Sequence, residues 1–422
     1  MKSPNENIQI ALIGAGGMGQ GDAHLATSLP GVKLVAACDC YDGRLQHMKE
    51  VYGPETFITR DYREIVRRRD IDAVIIATPD HWHAPISIDC LNSDKHVYCE
   101  KPMVHNVSEG HDVIAAQAKA GNVFQVGSQY RSSATYLKAR DLYQANAIGK
   151  LNSVEAWLDR NTAIGAWEYS IPTDASLSTC DWPQFLGNAP KREWDAARFF
   201  RWRNFRDYGT GVAGDLFVHL LTGLHTVTGS KGPNRIYATG GMRYWKDRDV
   251  PDVMLAVLDY PETPEHSAFN VLLRVNFKSG LPQESFGVKF IGSDGVMTTG
   301  YTGVSVDKSP QPDQFDGSTG SFADEVQKQL RADWDARHTT MDSRTFGQTS
   351  EQYDTGSINA QLEHHRNFYR SIREGRPSVE DATFGLRAAG PALLTNESLF
   401  QGKIMLWDPE QMLVTSGSQE PK

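Results

Sequence analysis

A glycine-rich turn between a strand-like and a helix-like segment constrains this chain more than any other feature of its sequence. The letters GAGGMG follow the apolar run IQIALI and place glycines at positions 14, 16 and 19. In such a turn the first glycine allows a tight bend, the second lets the backbone approach a pyrophosphate, and the third lets the helix pack closely on the strand. The helix N-terminus then faces the anion with free N–H groups. The turn therefore predicts a phosphate cradle opening a β-α-β unit.

An acidic residue at the end of the second strand extends this prediction to a dinucleotide. Asp39 stands 20 residues after Gly19, where a carboxylate accepts hydrogen bonds from the adenosine ribose hydroxyls. Because Asp39 repels a 2'-phosphate, and Cys40 and Tyr41 supply no cation, NAD is favoured; NADP is the alternative, since Arg44 is near. A bare strand-to-helix turn, with Asp39 as a helix cap, is the other interpretation. The predicted cofactor-binding residues here are Gly14, Gly16, Gly17, Met18, Gly19 and Asp39.

The pattern of apolar segments predicts an α/β protein with two different sheets. Up to about residue 128, strand and helix patterns alternate and give six candidate strands, whose continuous apolar runs such as AVIIAT are typical of a parallel sheet covered on both faces. After about residue 150, longer strands alternate with period two, as in VMLAVLDY and NVLLRVNF. We therefore expect a doubly wound Rossmann sheet followed by an α/β domain with a large, open, mostly antiparallel sheet.

The same patterns set the expected domain limits. Residues 1–128 are expected to form the NAD(P)-binding domain, residues 129–375 a substrate-binding and oligomerisation domain, and residues 376–422 a C-terminal helix and tail that pack back toward the first domain. The polar segment 308–358 predicts a long loop with a short helix. The tail histidines His364 and His365 are expected at the start of a helix, in a solvated or capping role.

Composition and charge exclude several classes of partner. The chain has 43 Lys and Arg against 52 Asp and Glu, for a net charge of -9, and shows no basic face of the kind that nucleic acid requires. No run approaches the roughly 18 apolar residues of a membrane span, so no membrane partner is expected. Five cysteines without zinc spacing predict reduced thiols in a cytoplasmic enzyme. An exported protein whose leader has been removed is the alternative.

Further motifs resemble the Gfo/Idh/MocA family of oxidoreductases. ATPDHWHAP follows the fourth strand, CEKPM follows the fifth, and GVAGDLFVH and HHRNFYRSIREGRP extend the resemblance over nearly the whole chain. Ligands of open α/β sheets bind beyond the carboxyl ends of the strands, which assigns the first two motifs to the cleft. The resemblance implies a Rossmann domain that binds a nicotinamide cofactor, and a second domain that supports the substrate cleft. It also implies an oligomer interface, so we expect a homodimer or homotetramer.

The resemblance also implies the residues of the site. The family lysine of EKP matches Lys101, and the aspartate and histidine of the second-domain motif match Asp215 and His219. These three are the candidate catalytic residues. The cofactor cleft is further implied to contain Thr78, Pro79, His83, Glu100 and Lys101.

These residue types suit hydride transfer from a carbinol carbon. His219, with an unperturbed pKa of about 6.5, can take the hydroxyl proton. Lys101 supplies a positive charge for the developing alkoxide. Asp215, four residues before His219, is expected to share its helix face and orient the imidazole. A helix cap with a core histidine is the alternative for this pair.

The predicted substrate is a small carbohydrate, because sugar faces pack on aromatic rings and sugar hydroxyls need polar partners. A metal site formed by His81, His83 and His219 is the alternative for these histidines. No further ligand follows at metal spacing, and hydride transfer needs no metal, so no metal is expected. The candidate substrate-binding residues are Tyr130, Arg131, Trp182, Trp202 and Arg203.

The expected function is NAD(P)-dependent hydride transfer between nicotinamide and a hydroxyl of a sugar, glycoside or inositol-like polyol. The alternative is a redox-neutral carbohydrate enzyme, which retains NAD and cleaves a glycoside or epimerises a centre through a transient keto-sugar. A nucleotide-sensing binder without enzymatic activity on the same fold is the third hypothesis.

Overall fold

Two sheets organise the chain in the computed structural model, which describes residues 7–308, 315–337 and 349–415. The first sheet has six strands in the order β3-β2-β1-β4-β5-β6. All its neighbouring strands are parallel, so the predicted doubly wound sheet is confirmed. The strands are β1 Ile8–Ile13, β2 Val32–Cys38, β3 Phe57–Thr59, β4 Ala73–Ile76, β5 His96–Cys99 and β6 Phe124–Val126.

Helices connect these strands and cover both faces of the sheet. All four residues of β4 are buried, as expected for a strand covered on both faces. β1 pairs with β2 on one side and with β4 on the other, so the strand order reverses between β1 and β4 and leaves a crevice beyond the ends of these strands. The helices are α1 Gly17–Thr27, α2 Asp42–Tyr52, α3 Tyr62–Arg67, α4 His83–Leu91 and α5 Gly110–Ala120.

The second sheet has ten strands in the order β14-β13-β12-β11-β7-β10-β9-β8-β15-β16. Within the described parts of the chain its pairs are antiparallel, except that β7 runs parallel to β10. The predicted open, mostly antiparallel sheet is therefore confirmed. Its strands are β7 Leu151–Asp159, β8 Arg235–Gly241, β9 Val253–Tyr260, β10 Phe269–Asn276, β11 Ser285–Gly292, β12 Val296–Thr299, β13 Gly303–Lys308, β14 Thr349–Asp354, β15 Met405–Asp408 and β16 Leu413–Thr415.

One face of the second sheet is covered by helices. Alternate residues of β10 are buried and exposed, so one set of side chains enters the core and the other faces outward. Every residue of one helix, α9, is buried. The helices of this part are α6 Ala134–Gln144, α7 Trp182–Leu186, α8 Ala196–Phe200, α9 Val218–Thr228, α10 Asp324–Arg337, α11 Ala360–Glu374 and α12 Ala382–Gln401.

The polar segment 308–358 differs from the predicted loop with a short helix. It contains the 14-residue helix α10 and the edge strand β14, while residues 309–314 and 338–348 lie outside the described chain. α10 has no buried residue, although Val326, Leu330 and Trp334 stand four residues apart in its sequence, as on one helix face. Its composition of Glu, Gln, Lys and Arg also favours a helix.

The tail histidines are buried, and the predicted solvated or capping role is wrong. His364 Nε2 lies 2.6 Å from the Val126 carbonyl oxygen, and its Nδ1 lies 2.8 Å from the Ser132 hydroxyl. His365 Nε2 lies 3.1 Å from a carboxylate oxygen of Asp22 on α1. The face of α11 that carries both rings packs on the first sheet and its helix α1, which excludes water from them.

The predicted domain limits at 128 and 375 stay predictions. In the structure α11 packs on α1, whereas α12 packs mainly on α9 and β8. No helix in the described ranges is both long enough and apolar enough to cross a membrane. The five cysteines form no disulfide; four are buried and Cys40 is partly exposed.

Candidate active site

A cavity of about 510 Å³ lies in the crevice where β1 and β4 end. The first sheet contributes the glycine turn and the ends of β2 and β4 to its wall. A segment of the second part of the chain closes the other side, and a backbone bridge between Tyr41 and Cys180 ties the two sides together. The lining residues of this segment are Tyr169, Ser170, Gln184, Phe185, Phe199, Phe200, Trp202 and Arg203.

The glycine turn has the geometry of a phosphate cradle. Gly14 has a φ of +94°, and a Cβ there would lie 2.5 Å from the Ala77 carbonyl, so only glycine fits. A Cβ on Gly19 would lie 2.0 Å from the Gly14 oxygen, so this glycine lets α1 pack closely on β1. At Gly17 nothing lies within 4 Å of the Cβ position, which leaves the start of α1 open to a ligand. Gly14, Gly16, Gly17 and Met18 line the cavity, while Gly19 supports the turn from behind.

Asp39 joins the glycine turn to the end of β2. Its carboxylate accepts backbone hydrogen bonds from Ala15, at 2.8 Å, and from Tyr41, at 2.9 Å. The guanidinium of Arg44 lies 3.5 Å from both carboxylate oxygens. Asp39, Arg44 and Arg60 all line the cavity, so this end combines one carboxylate with two cations.

The turn after β4 supplies the opposite edge of the cavity. Thr78 and Pro79 line it, and the buried Thr78 hydroxyl has no hydrogen-bond partner within the described chain. His83 lies behind this turn, with Nδ1 2.7 Å from the Pro102 carbonyl oxygen and Nε2 3.0 Å from that of Thr78. Burial lowers the pKa of His83 below its ordinary value. His83 therefore joins the turns after β4 and β5 and does not itself line the cavity.

An ion pair between Lys101 and Asp215 lies beside the cavity. Lys101 Nζ donates to Asp215 Oδ1 at 2.7 Å and to the Asp215 backbone carbonyl at 2.9 Å. Arg203, which lines the cavity, donates from Nε to the same Oδ1 at 3.3 Å. Burial alone would raise the pKa of Asp215, but Lys101 and Arg203 hold it far below its ordinary value. Asp215 is thus ionised and fixes two cations at one point.

His219 lies near this ion pair, but Asp215 does not orient it as the sequence suggested. The turn Ala213–Phe217 is a π-helix, and its Asp215 side chain is bonded to the two cations instead. Burial, and then the charge of Lys101, lower the pKa of His219 well below its ordinary value, so the imidazole is neutral. Its buried Nδ1 has no hydrogen-bond partner among the residues the structure describes.

Glu100 lies behind Lys101 and does not line the cavity. Its Oε2 accepts from the Lys101 backbone N–H at 3.3 Å, and its buried Oε1 has no partner in the described chain. Burial, and then the nearby carboxyl of Asp22, raise the pKa of Glu100 well above its ordinary value. The side chain is therefore protonated and supports Lys101 from the interior.

The candidate substrate residues fall into two groups. Trp202 and Arg203 line the cavity, with the guanidinium 4.2 Å from the indole centroid. Tyr130 packs on His219, with ring centroids 5.0 Å apart, and lines a smaller cavity of about 290 Å³. Lys101, Asp215 and His219 line neither cavity: Arg203 joins Asp215 to the first cavity, and Tyr130 joins His219 to the second.

The structure does not bring Trp182 and Arg131 to either of these cavities. Trp182 is a core residue: its indole N–H donates to the Arg192 carbonyl at 2.8 Å, and its ring stacks on Phe185. Arg131 donates to the Val379 carbonyl at 3.0 Å and lines a different pocket. The sequence around an aromatic residue or an arginine in a loop does not show whether its side chain faces the cavity or the core. The sequence therefore could not distinguish Trp182 and Arg131 from Trp202 and Arg203.

Several residues that line the cavity could not be predicted from the sequence. Tyr169, Phe199 and Phe200 reach the cavity because the chain between β7 and α9 folds back over the crevice. The guanidinium of Arg44 lies 5.5 Å from the ring centroid of Phe200, so this segment also covers the Asp39 end. The high density of aromatic residues between β7 and α9 was the sequence feature that indicated an aromatic lining.

Two of the three histidines weighed as metal ligands, His81 and His83, contact backbone carbonyl oxygens. His81 Nε2 lies 2.9 Å from the Phe185 carbonyl, and its Nδ1 lies 3.4 Å from that of Tyr208. Within the described ranges no group of three or more His, Cys, Asp or Glu side chains is arranged to hold a metal ion.

The residues at this site fit a dinucleotide. Gly17 at the open start of α1, Thr78 and Asp39 all line one cavity, which brings together the groups that pyrophosphate and ribose recognition needs. The adjoining lysine, carboxylate and imidazole are the groups that a hydride transfer from a carbinol needs. Fold and site together define a nicotinamide-dependent oxidoreductase.

Family models agree with this class. The oxidoreductase family's NAD-binding Rossmann fold matches residues 8–128, and its C-terminal alpha/beta domain matches residues 185–405. This chain therefore belongs to the Gfo/Idh/MocA oxidoreductase family, as its motifs indicated.

Individual relatives match this chain at low identity or over only part of its length. An inositol 2-dehydrogenase from Rubrobacter xylanophilus is 31% identical over 202 residues, or 47% of this chain and 54% of that protein. An alpha-N-acetylgalactosaminidase from Shewanella oneidensis is 35% identical over 117 residues, or 26% of each protein. The matched segment thus spans about half of the first relative and a quarter of the second. A solved levoglucosan dehydrogenase in complex with NADH and levoglucosan shares the fold, with a TM-score of 0.68 at 16% identity, covering 94% of this chain and 99% of that one.

Proposed function

We propose that this protein is an NAD-dependent dehydrogenase that moves a hydride between nicotinamide and a carbinol carbon of a sugar or inositol-like polyol. One observation carries the proposal: Arg203 joins the Lys101–Asp215 ion pair to the cavity lined by the glycine turn and Asp39, and His219 packs on Tyr130 of a smaller polar, aromatic cavity. Relatives named as inositol 2-dehydrogenase and levoglucosan dehydrogenase support the substrate class.

The cofactor is held by the first sheet. The amides at the start of α1 and the open surface at Gly17 would receive the pyrophosphate, and Asp39 would accept from the adenosine ribose. The negative charge of Asp39 favours NAD over NADP. When bound, the nicotinamide supplies the hydride acceptor.

The chain's own residues manage the proton and the charge. Neutral His219 can accept the hydroxyl proton, since a buried ring nitrogen is unpaired in the described structure. Lys101 stabilises the developing alkoxide, while Asp215 holds its ammonium group in place. Asp215 also holds Arg203, whose guanidinium packs on Trp202. Trp202 and Tyr130 offer ring faces to the apolar side of a polyol.

NADH formation over a panel of polyols and sugars, including myo-inositol and levoglucosan, tests this proposal. We expect Lys101→Met and His219→Ala to lower turnover by about 100-fold or more, as removal of acid-base groups does. Lys403→Met is the matched control, because Lys403 is exposed and remote from the cavity lining. Full turnover in both site variants would refute the catalytic assignment.

A redox-neutral glycoside-cleaving enzyme is the second candidate function. The relative named alpha-N-acetylgalactosaminidase favours it, at 35% identity over its matched segment. The same lysine, aspartate and histidine would serve both reactions. Denaturing thoroughly dialysed protein and quantifying the released nucleotide separates them: near-stoichiometric NAD indicates a retained hydride carrier, and empty protein that binds added NAD indicates a net dehydrogenase.

The outer face of the second sheet is proposed as a homo-oligomer interface, giving a homodimer or homotetramer. Apolar side chains on neighbouring strands are exposed there, and Val257 of β9 faces Leu272 of β10 across the pair. A contiguous exposed apolar patch is typical of an interface. The exposed residues of this face are Tyr237, Leu255, Val257 and Leu272.

A further inference from the structure

A second large cavity lies where α6, the end of α9 and the start of α12 meet. Its volume is about 790 Å³, and it shares no lining residue with the cofactor cavity. One carboxylate, Glu265, lines it among the described residues. We call it the basic pocket after its five cationic lining residues, Arg131, Arg140, Lys150, Lys231 and Arg387. Such an excess of positive charge stands out in a chain of net charge -9.

Part of this charge is not neutralised by the protein. Arg387 and Lys150 form no ion pair within the described ranges, and the buried Nε of Arg387 has no hydrogen-bond partner there. Burial, and the nearby Arg140, lower the pKa of Arg131. Glu380 lies near Arg131, but burial raises the pKa of Glu380 well above its ordinary value, so this carboxyl is protonated. Cations that repel one another in a cavity are stabilised by an anion.

Two buried histidines add directional groups to the pocket. His225 Nε2 lies 2.9 Å from the Tyr260 hydroxyl, and its Nδ1 is buried without a partner in the described chain. When the Tyr260 hydroxyl donates to Nε2, the Nδ1–H of His225 is free to donate to an anion. His266 Nδ1 lies 3.0 Å from the Ser267 carbonyl and so carries the hydrogen, which leaves its unpartnered Nε2 to accept one from a ligand hydroxyl.

We propose that the basic pocket binds a small hydroxylated anion, namely a phosphate or carboxylate carried on a polyol, at a site separate from the cofactor cavity. The arginines and Lys150 bind the anionic group, and His225 donates to it. His266 accepts from a hydroxyl of the same ligand. A cavity of this volume accommodates such a molecule.

Calorimetric titration of the whole protein with glucose 6-phosphate, in the presence of saturating NAD, tests this inference. NAD keeps the other phosphate-binding surface occupied. We expect saturable binding to one site per chain, weakened about 10-fold or more by Arg387→Gln and by Lys150→Gln. Lys150 is exposed, so its variant tests the site even if Arg387→Gln folds poorly. Arg44→Gln, in the cofactor cavity, should leave this binding unchanged.

The same titration can overturn the inference in three ways. Binding that is lost with Arg44→Gln but kept with Arg387→Gln and Lys150→Gln would place the anion in the cofactor cavity. An absence of saturable binding would show that the pocket holds no such ligand. Inorganic phosphate that binds as tightly as glucose 6-phosphate would contradict the recognition of the polyol by His266. None of these outcomes depends on whether the protein is a dehydrogenase.

Discussion

At the residue scale, Asp215 organises the candidate site by holding two cations on one carboxylate oxygen. The motif identified Lys101, Asp215 and His219 as a group, but it suggested that the carboxylate serves the histidine. In the structure the Asp215 carboxylate contacts Lys101 and Arg203 instead, and a π-helical turn replaces the regular helix at Ala213–Phe217. Spacing in a sequence assumes regular helix geometry, so this change of partner could not be predicted from it.

Asp39 carries the prediction about cofactor choice. Asp39→Asn removes the negative charge while keeping an oxygen that can accept from a backbone N–H. Because Arg44 and Arg60 remain at this end of the cavity, we expect the ratio of NADP to NAD use to rise by about 10-fold or more. The measurement is kcat/KM with each cofactor on the same substrate. An unchanged ratio would mean that Asp39 does not face the adenosine ribose.

At the element scale, buried ionisable groups accumulate where α11 and the start of α12 meet the first sheet. His365 lies against Asp22, whose pKa burial raises to about 7, while burial lowers the pKa of His365 to about 3. Glu380, just before α12, is fully buried, and neither of its carboxyl oxygens has a hydrogen-bond partner among the described residues. His365 and Glu380 are therefore neutral in the folded protein near pH 7, whereas the raised pKa of Asp22 makes this carboxyl titrate there.

Glu380 gives a prediction about stability and pH. Its folded-state pKa is raised by burial well above the ordinary value of 4.5. Above pH 4.5 the folded protein keeps a proton that the unfolded chain releases. The contribution of Glu380 to the free energy of unfolding is therefore complete below pH 4.5 and is lost as the pH rises. Glu380→Gln removes that loss. We expect the melting temperature of the variant to exceed that of the wild type at about pH 8 and to approach it near pH 4.5.

The exposed Glu397 on α12 provides the matched control for this prediction. Glu397→Gln makes the same substitution at a position in contact with water, and it should show no such growing difference between pH 4.5 and about pH 8. A Glu380→Gln variant whose advantage grows as the pH falls would contradict the assignment of a buried, protonated carboxyl.

Elements with a buried face were predictable, and those without one were not. All six strands of the first sheet, and β7 to β11 of the second, were predicted from their apolar pattern. In the segment 308–358 a short helix was predicted, but the 14-residue length of α10 and the strand β14 were not, because α10 buries no residue and β14 is an almost fully exposed edge. The burial of His364 and His365 also escaped, because it depends on which face of α11 meets the first sheet.

At the scale of the whole molecule, the site depends on the chain between β7 and α9 folding back over the crevice. This segment supplies Trp202, Arg203 and three further aromatic lining residues, Tyr169, Phe199 and Phe200, besides Phe185, and the bridge from Cys180 to Tyr41 ties it to the end of β2. Local patterns indicated the glycine turn and Asp39, because both belong to one β-α-β unit. They could not show which of Trp182 and Trp202 faces the cavity, since that depends on the path of a long irregular segment.

The outer sheet face gives a prediction about assembly. Val257→Lys and Leu272→Lys together place two charges at the centre of the proposed interface, and we expect the oligomer to dissociate, as measured by light scattering after size-exclusion chromatography. Val51→Lys, on the exposed surface of α2, is the control and should leave the assembly unchanged. A wild-type protein that is monomeric, or a double variant with unaltered mass, would contradict the interface.

The crystal structure of the protein with NADH bound tests the central claim most directly. The account predicts the pyrophosphate on the GAGGMG turn, the adenosine ribose at Asp39, and the nicotinamide ring between the Thr78–Pro79 turn and the Lys101–Asp215 pair, with its reactive face toward His219. A nicotinamide ring that lies away from Lys101 and His219 would contradict it.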